Sequence, residues 1–211
     1  MTRITAILFD LDGVLVDATE WHYEALNRAL GLFGFGISRY EHLSTYDGLP
    51  TRRKLEMLSV EKGLPVALHG LINRIKQVYT REEILIQCQP VFDKEYMLSR
   101  LVREGYRLAV CSNAIRDSVE LMIRQSGLHD YFEFLVSNED VDRPKPDPEI
   151  YLKAIARMGC GPLETLIVED APHGVEAARQ AGGHVCKVAG FSEVDYFRIK
   201  RAIQEAQGRR G

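Results

Sequence analysis

The 211-residue chain is 45% hydrophobic and 27% charged, with a net charge of -3. That balance suits a globular protein with one substantial core, or a core plus a small insertion, and excludes the basic footprint expected for nucleic acid or an anionic membrane surface. The first residues, Met-Thr-Arg-Ile-Thr, lack a signal-peptide h-region, no apolar run reaches membrane-spanning length, and Cys88, Cys111, Cys160 and Cys186 form no C-x-x-C pair, so the expectation is a cytoplasmic protein with buried, reduced thiols.

The first strand is expected over Ile4-Thr-Ala-Ile-Leu-Phe9. From about Ala18 to Ile84 there is no convincing strand, only helical stripes. Trp21, Ala25, Leu26, Ala29 and Leu30 form one; Leu55 and Leu58 lie on a second helix, opening near Pro50 and ending near Gly63; Leu68, Leu71, Ile72, Ile75 and Tyr79 form a third. Strands resume at Arg107–Cys111, Phe134–Ser137, Thr165–Glu169 and His184–Val188. These runs are apolar throughout rather than alternating, as when helices cover both faces of a parallel sheet. Tyr151, Ala154, Ile155 and Met158 predict a helix stopped by Gly159; Val175, Ala178 and Ala181 predict another, opened by Pro172 and closed at Gly182-Gly183. The charged tail from Lys200 to Arg209 reads as a solvated helix end. The fold class is therefore α/β: a core over residues 1–16 and 86–211 with an all-helical domain over 17–85, joined through hinges near Val16-Asp17 and Gln87-Pro90.

Ligands of an open parallel sheet bind beyond the carboxyl ends of its strands. The residues there are Asp10-Leu-Asp12-Gly13, Ser112-Asn113 and Glu169-Asp170, with Lys145 in the Pro-flanked stretch Arg143-Pro-Lys-Pro-Asp-Pro. If the backbone is extended at Asp10, its carboxylate and that of Asp12 project to the same side, and Gly13 permits a sharp turn. Such a pair can divide labour: one carboxylate attacks phosphorus, the other holds the proton for the leaving oxygen. A phosphate dianion approaching these acids meets repulsion of about 4 kcal/mol per pair of unit charges at ~4 Å and an effective dielectric of 20. Compensating cations are needed. Asp170 with Asp10 offers hard oxygen ligands suited to Mg²⁺, Lys145 supplies a second positive charge, and Ser112 can donate to the phosphoryl oxygens.

Taken in order, Asp10-Leu-Asp-Gly-Val-Leu, Ser112-Asn113, Lys145-Pro-Asp-Pro and Glu169-Asp-Ala-Pro-His-Gly174 resemble the four-motif signature of the haloacid dehalogenase superfamily over nearly the whole chain. The resemblance implies a Rossmann-like, doubly wound core with a helical cap after the first strand. By it, Asp10 is the nucleophile, Asp12 the acid/base, and Ser112 and Lys145 hold the phosphoryl group. Asp170 binds Mg²⁺ with Asp10 and the backbone carbonyl of Asp12, and Glu169 is a further or outer-sphere ligand. The chain is similar to the branch holding β-phosphoglucomutase and phosphoglycolate phosphatase. Asp17-Ala-Thr-Glu-Trp-His22 resembles that branch's hinge, and Gly48-Leu-Pro-Thr-Arg52 its substrate loop.

Several residues have two readings. Ser112 can cap a helix, contact phosphate, or do both, and Asn113 can cap or contact substrate. Glu169 can ligate metal or orient Lys145. His22 can be a packed helical histidine or a site residue; Arg52, with Arg53 and Lys54, can form a solvated face or a substrate contact. The mutases usually carry threonine where Ala18 stands and arginine where Thr51 stands. The resemblance therefore favours a Mg²⁺-dependent phosphatase of a small phosphate ester, a sugar phosphate or similar compound, over a phosphomutase. The expected partner is that small molecule, with no nucleic acid or membrane, and the protein a monomer or weak dimer.

Overall fold

The computed structural model describes residues 2–208. Its elements run β1 (Ala6–Phe9), α1 (Thr19–Gly31), α2 (Arg39–Glu41), α3 (Thr51–Lys62), α4 (His69–Gln87), α5 (Phe92–Arg103), β2 (Arg107–Cys111), α6 (Arg116–Gln125), β3 (Phe134–Val136), α7 (Glu149–Met158), β4 (Thr165–Glu169), α8 (Pro172–Gln180), β5 (His184–Lys187) and α9 (Tyr196–Ala206). The chain divides into two compact units: Met1–Asp17 with Gln89–Gly211, and Ala18–Cys88. The second junction lies a few residues beyond the expected one, because α4 continues to Gln87 and ends at Cys88.

In the larger unit all five strands pair in parallel, in the order β3-β2-β1-β4-β5. β1 is central and every residue of it is buried. Apolar side chains must therefore fill both faces, which is why the strands read as unbroken apolar runs. One face packs Ala6, Leu8, Ala109 and Ile167 against Tyr151, Ala154, Met158 and Ala178. Register matters most for the site: Phe9 lies opposite Val110 on one side and Val168 on the other. The next residues of β1, β2 and β4, which are Asp10, Cys111 and Glu169, therefore emerge together.

Three helices of this unit went beyond the expected elements. Each buries a stripe at helical spacing: Met97, Leu98 and Leu101 on α5; Val119, Met122 and Ile123 on α6; Ile199, Ala202 and Ile203 on α9. The charged tail is thus corrected from a solvated end to a packed helix through Ala206; Arg209 lies outside the described residues. Lys94 is buried at the start of α5, where its ammonium donates to the carbonyls of Phe191 and Val194 at 2.6 and 2.5 Å. None of the four cysteines is in a disulfide; Cys88, Cys111 and Cys186 are buried, while Cys160 is half-buried.

In the helical unit, α1 and α4 pack along their lengths around Leu26, Ala29, Leu30, Tyr46, Leu55, Leu58 and Ile72. The buried stripe of α4 is Ile72, Lys76, Thr80 and Ile84, whereas Leu71 is exposed. The expected face holds apart from Leu71, since Leu68, Ile75 and Tyr79 pack against this core, and it extends to a lysine and a threonine that hydrophobicity alone assigns to solvent. Asn27 ties α1 to the following chain, donating to the Ile37 carbonyl and accepting from its N–H, both at 2.9 Å. No helix among the described residues is long and apolar enough to cross a membrane.

Candidate active site

The loop after β1 turns back at once. The N–H groups of Leu15 and Val16 donate to the Leu11 carbonyl at 2.9 and 3.0 Å, and that of Gly13 to the Val16 carbonyl at 2.7 Å. Gly13 has φ of +79°, and a Cβ there would stand 2.1 Å from Asp170 Oδ2. Only glycine satisfies both the backbone conformation and the approach of that carboxylate.

Asp10, Lys145 and Glu169 are all buried. The Lys145 ammonium donates to Asp10 Oδ1 at 2.6 Å, Glu169 Oε1 at 2.6 Å and the Cys111 carbonyl at 2.8 Å. Burial alone lowers the pKa of Lys145, but the carboxylates of Asp10 and Glu169 more than offset it and hold the group above the ordinary lysine value. It is a fixed cation. Asp10 is pushed well above the ordinary aspartate range, first by burial and then by Glu169, Asp170 and Asp12, with Lys145 opposing. Burial also lifts the Cys111 thiol to about 12, so the thiol stays protonated and unreactive.

Asp10, Glu169 and Asp170 each offer an oxygen, all within 4.8 Å of one another. A set of hard oxygen donors this close fits a hard divalent cation. A cation there would also relieve the mutual repulsion that raises Asp10. Glu169 Oε1 already accepts from Lys145 and from the Tyr151 hydroxyl.

At the end of β2, Ser112 is buried. Its N–H donates to the Val136 carbonyl at 2.9 Å, its hydroxyl accepts from the Ala114 N–H at 3.0 Å, and the same oxygen lies 3.5 Å from Asp12 Oδ2. The helix-cap reading of Ser112 is corrected: α6 begins only at Arg116, with Ile115 at its cap. Asn113 grips the backbone of Lys145, accepting from its N–H at 3.0 Å and donating to its carbonyl at 3.3 Å. The Lys145-Pro146 peptide bond is cis.

The remaining expected site residues belong to the helical unit. His22 Nδ1 lies 3.2 Å from the Lys76 ammonium, and Lys76 is buried. Gly48 has φ of +67° and its N–H donates to Asp47 Oδ1 at 3.0 Å. Arg52 is exposed and pairs with Glu56 at 3.1 Å, as a solvated helix face would. Lys54, grouped with it in sequence, is instead buried. Near it His42 is almost wholly buried, and burial followed by the Lys54 charge lowers its pKa to about 4.

Tyr151 escapes a sequence reading of the candidate site, and Gly174, though inside the fourth motif, carries no role in that reading. Tyr151 sits in the apolar stripe of α7, where only its hydroxyl, needing a partner when buried, hints at more. Gly174 lies inside α8, where a glycine lowers helix propensity and therefore asks for a packing reason. A Cβ at Gly174 would come within 2.2 Å of both Glu169 carboxylate oxygens.

A parallel sheet with buried carboxylates and a fixed lysine at its carboxyl edge defines an α/β enzyme of hydrolytic or group-transfer chemistry. The chain belongs to the haloacid dehalogenase-like hydrolase family, whose pattern it matches over residues 7–188. It is 31% identical over 188 residues to the pyrophosphatase PpaX of Bacillus velezensis, covering 89% of this chain and 84% of that protein. It is 28% identical over 180 residues to the fructose-1-phosphate phosphatase YqaB of Escherichia coli, covering 85% and 94%. In fold it is similar to β-phosphoglucomutase from Clostridium difficile, with a TM-score of 0.84, 20% identity, and coverage of 98% and 100%.

Proposed function

We propose that the protein is a Mg²⁺-dependent phosphatase that hydrolyses a small phosphorylated metabolite, a sugar phosphate or similar phosphomonoester, through an aspartyl-phosphate on Asp10. The observation that carries this reading is the buried Asp10 carboxylate, with one oxygen held by Lys145 at 2.6 Å and two further acids, Glu169 and Asp170, offering oxygens alongside. Such an acid is oriented for attack and sits where a cation can keep it ionised.

An oxygen of Asp10 forms a bond to phosphorus as the ester P–O bond breaks, and the departing alkoxide takes a proton from Asp12. Asp12 then removes a proton from water, whose oxygen attacks phosphorus. The acyl-phosphate P–O bond breaks and Asp10 is restored. Lys145 and Ser112 stabilise charge on the transferring group. Asp10, Asp170 and the Asp12 carbonyl would hold Mg²⁺, which when bound would supply charge neutralisation at the phosphoryl oxygens. Glu169, with one oxygen committed to Lys145 and Tyr151, serves in the outer sphere.

We assign substrate selection to the helical unit acting as a cap, with His22, Gly48 and Arg52 as candidate contacts. The relatives named as a pyrophosphatase and a fructose-1-phosphate phosphatase support a small phosphate compound as substrate. The phosphomutase reading has less behind it: Ala18 replaces the usual hinge threonine, and Arg52 is exposed and paired with Glu56. Four cysteines outside any disulfide fit a reducing, cytoplasmic setting.

The test is release of inorganic phosphate from a panel of phosphate esters and pyrophosphate with Mg²⁺, beside an Asp10→Asn control. Release by the wild type and none by the control supports the proposal. Folded, Mg²⁺-supplemented protein that releases no phosphate from any compound overturns it. Interconversion of sugar phosphates that needs a bisphosphate primer and frees no phosphate would establish the mutase instead.

A further inference from the structure

We infer that Tyr151 is a positioning residue for phosphoryl transfer: with Gly174 it holds Glu169 so that Glu169 fixes the Lys145 ammonium against Asp10. This rests on the phosphatase reading above.

An ammonium has three N–H donors. Those of Lys145 meet three acceptors, Asp10 Oδ1, Glu169 Oε1 and the Cys111 carbonyl, at 2.6, 2.6 and 2.8 Å. Its orientation is therefore set by where those acceptors stand. The Cys111 carbonyl belongs to β2 and cannot swing. Glu169 is a side chain with several rotatable bonds, so it can fix the lysine only if something fixes it.

Two contacts do so. Tyr151, fully buried, donates its hydroxyl to the same Glu169 Oε1 that receives Lys145. The Tyr151 ring also lies beneath the ammonium, 4.8 Å from Nζ to the ring centroid. On another side the carboxylate rests against the backbone of α8 at Gly174, in space that a Cβ would take. The hydroxyl's hydrogen bond goes to Glu169, so its effect reaches Asp10 through Glu169 and the Lys145 ammonium. Without the hydroxyl, Oε1 keeps only Lys145 as donor and draws the ammonium toward itself and away from Asp10. That loosens the charge aimed at the phosphoryl group as it moves, and leaves substrate binding nearly untouched. The loss should fall on kcat rather than KM.

Tyr151→Phe removes only the hydroxyl. Gly174→Ala displaces Glu169 from the other side and gives an independent second variant. Both are assayed with the best ester and Mg²⁺, at a temperature where circular dichroism shows both folded. The expectation is a fall in kcat of about tenfold for each with KM within about twofold of wild type, and for Tyr151→Phe a Mg²⁺ concentration for half-activity within about twofold as well. Wild-type kcat in both variants overturns the inference, as does a loss carried by KM, or in Tyr151→Phe by Mg²⁺ affinity. A lowered melting temperature with unchanged kcat would assign the hydroxyl a structural role only. Wild-type protein that releases no phosphate would sink the phosphatase reading itself, whereas active variants in an active background sink only this one.

Discussion

Lys145 is held by two buried carboxylates, so its removal has consequences beyond charge. Lys145→Met leaves Asp10 and Glu169 facing each other without their shared cation. Breaking a buried ionic network by deleting one member costs about 3–5 kcal/mol. Urea unfolding without Mg²⁺ should show that loss, together with abolished phosphate release. Gly13 is constrained in a different way: Gly13→Ala puts a methyl where Asp170 Oδ2 sits, at a φ of +79° that alanine resists. The expected outcome is weakened Mg²⁺ binding, read by calorimetry, in a protein whose strands still form. Asp10, Asp12, Lys145 and Asp170 could be picked out in the sequence because each is a charged residue where an apolar run ends or a Pro-rich loop begins. Tyr151 could not, because its ring belongs to a core stripe and only its hydroxyl belongs to the site.

Among the elements, the helical unit carries a pH-dependent feature that involves α1 and α3 and is separate from the catalytic acids. His42, directly after α2, is buried beside Lys54, with Asp47 3.6 Å away and His22 on α1 within electrostatic reach. Its pKa falls from 6.5 to about 4. The unfolded chain therefore binds a proton there that the folded chain refuses. That contribution to stability is fully present above about pH 6.5 and is lost as pH falls toward 4. Thermal melts between about pH 7 and pH 5 should show a decline that His42→Asn reduces; an identical decline in the variant would remove His42 as the cause. Helices α5, α6 and α9 each had a readable apolar stripe, interrupted by charged residues between its members. On α4 the periodicity marked the packed face apart from Leu71, and it did not extend that face to Lys76 and Thr80.

At the scale of the whole molecule, a bound cation would link residues from β1 and β4. A ligand that binds only the folded state stabilises it by about 2.7 kcal/mol at one hundred times its dissociation constant. Melting temperature should therefore rise with Mg²⁺, and Asp170→Asn should flatten that rise. A chelator should both stop phosphate release and return the wild type to its metal-free melting temperature.

The sequence by itself determined the α/β class, the place of the helical insertion and the charged groups at the strand ends. These are local properties: apolar runs, helical spacing, and residue type at fixed offsets. Only the tertiary structure decided that Asn113 clamps the Lys145 backbone rather than capping a helix, that Lys54 turns inward while Arg52 stays in solvent, and that Glu169 is boxed in by Lys145, Tyr151 and Gly174. Each depends on groups far apart in the chain meeting at a few ångströms. Strand register and helix packing set such meetings, and no local pattern records them.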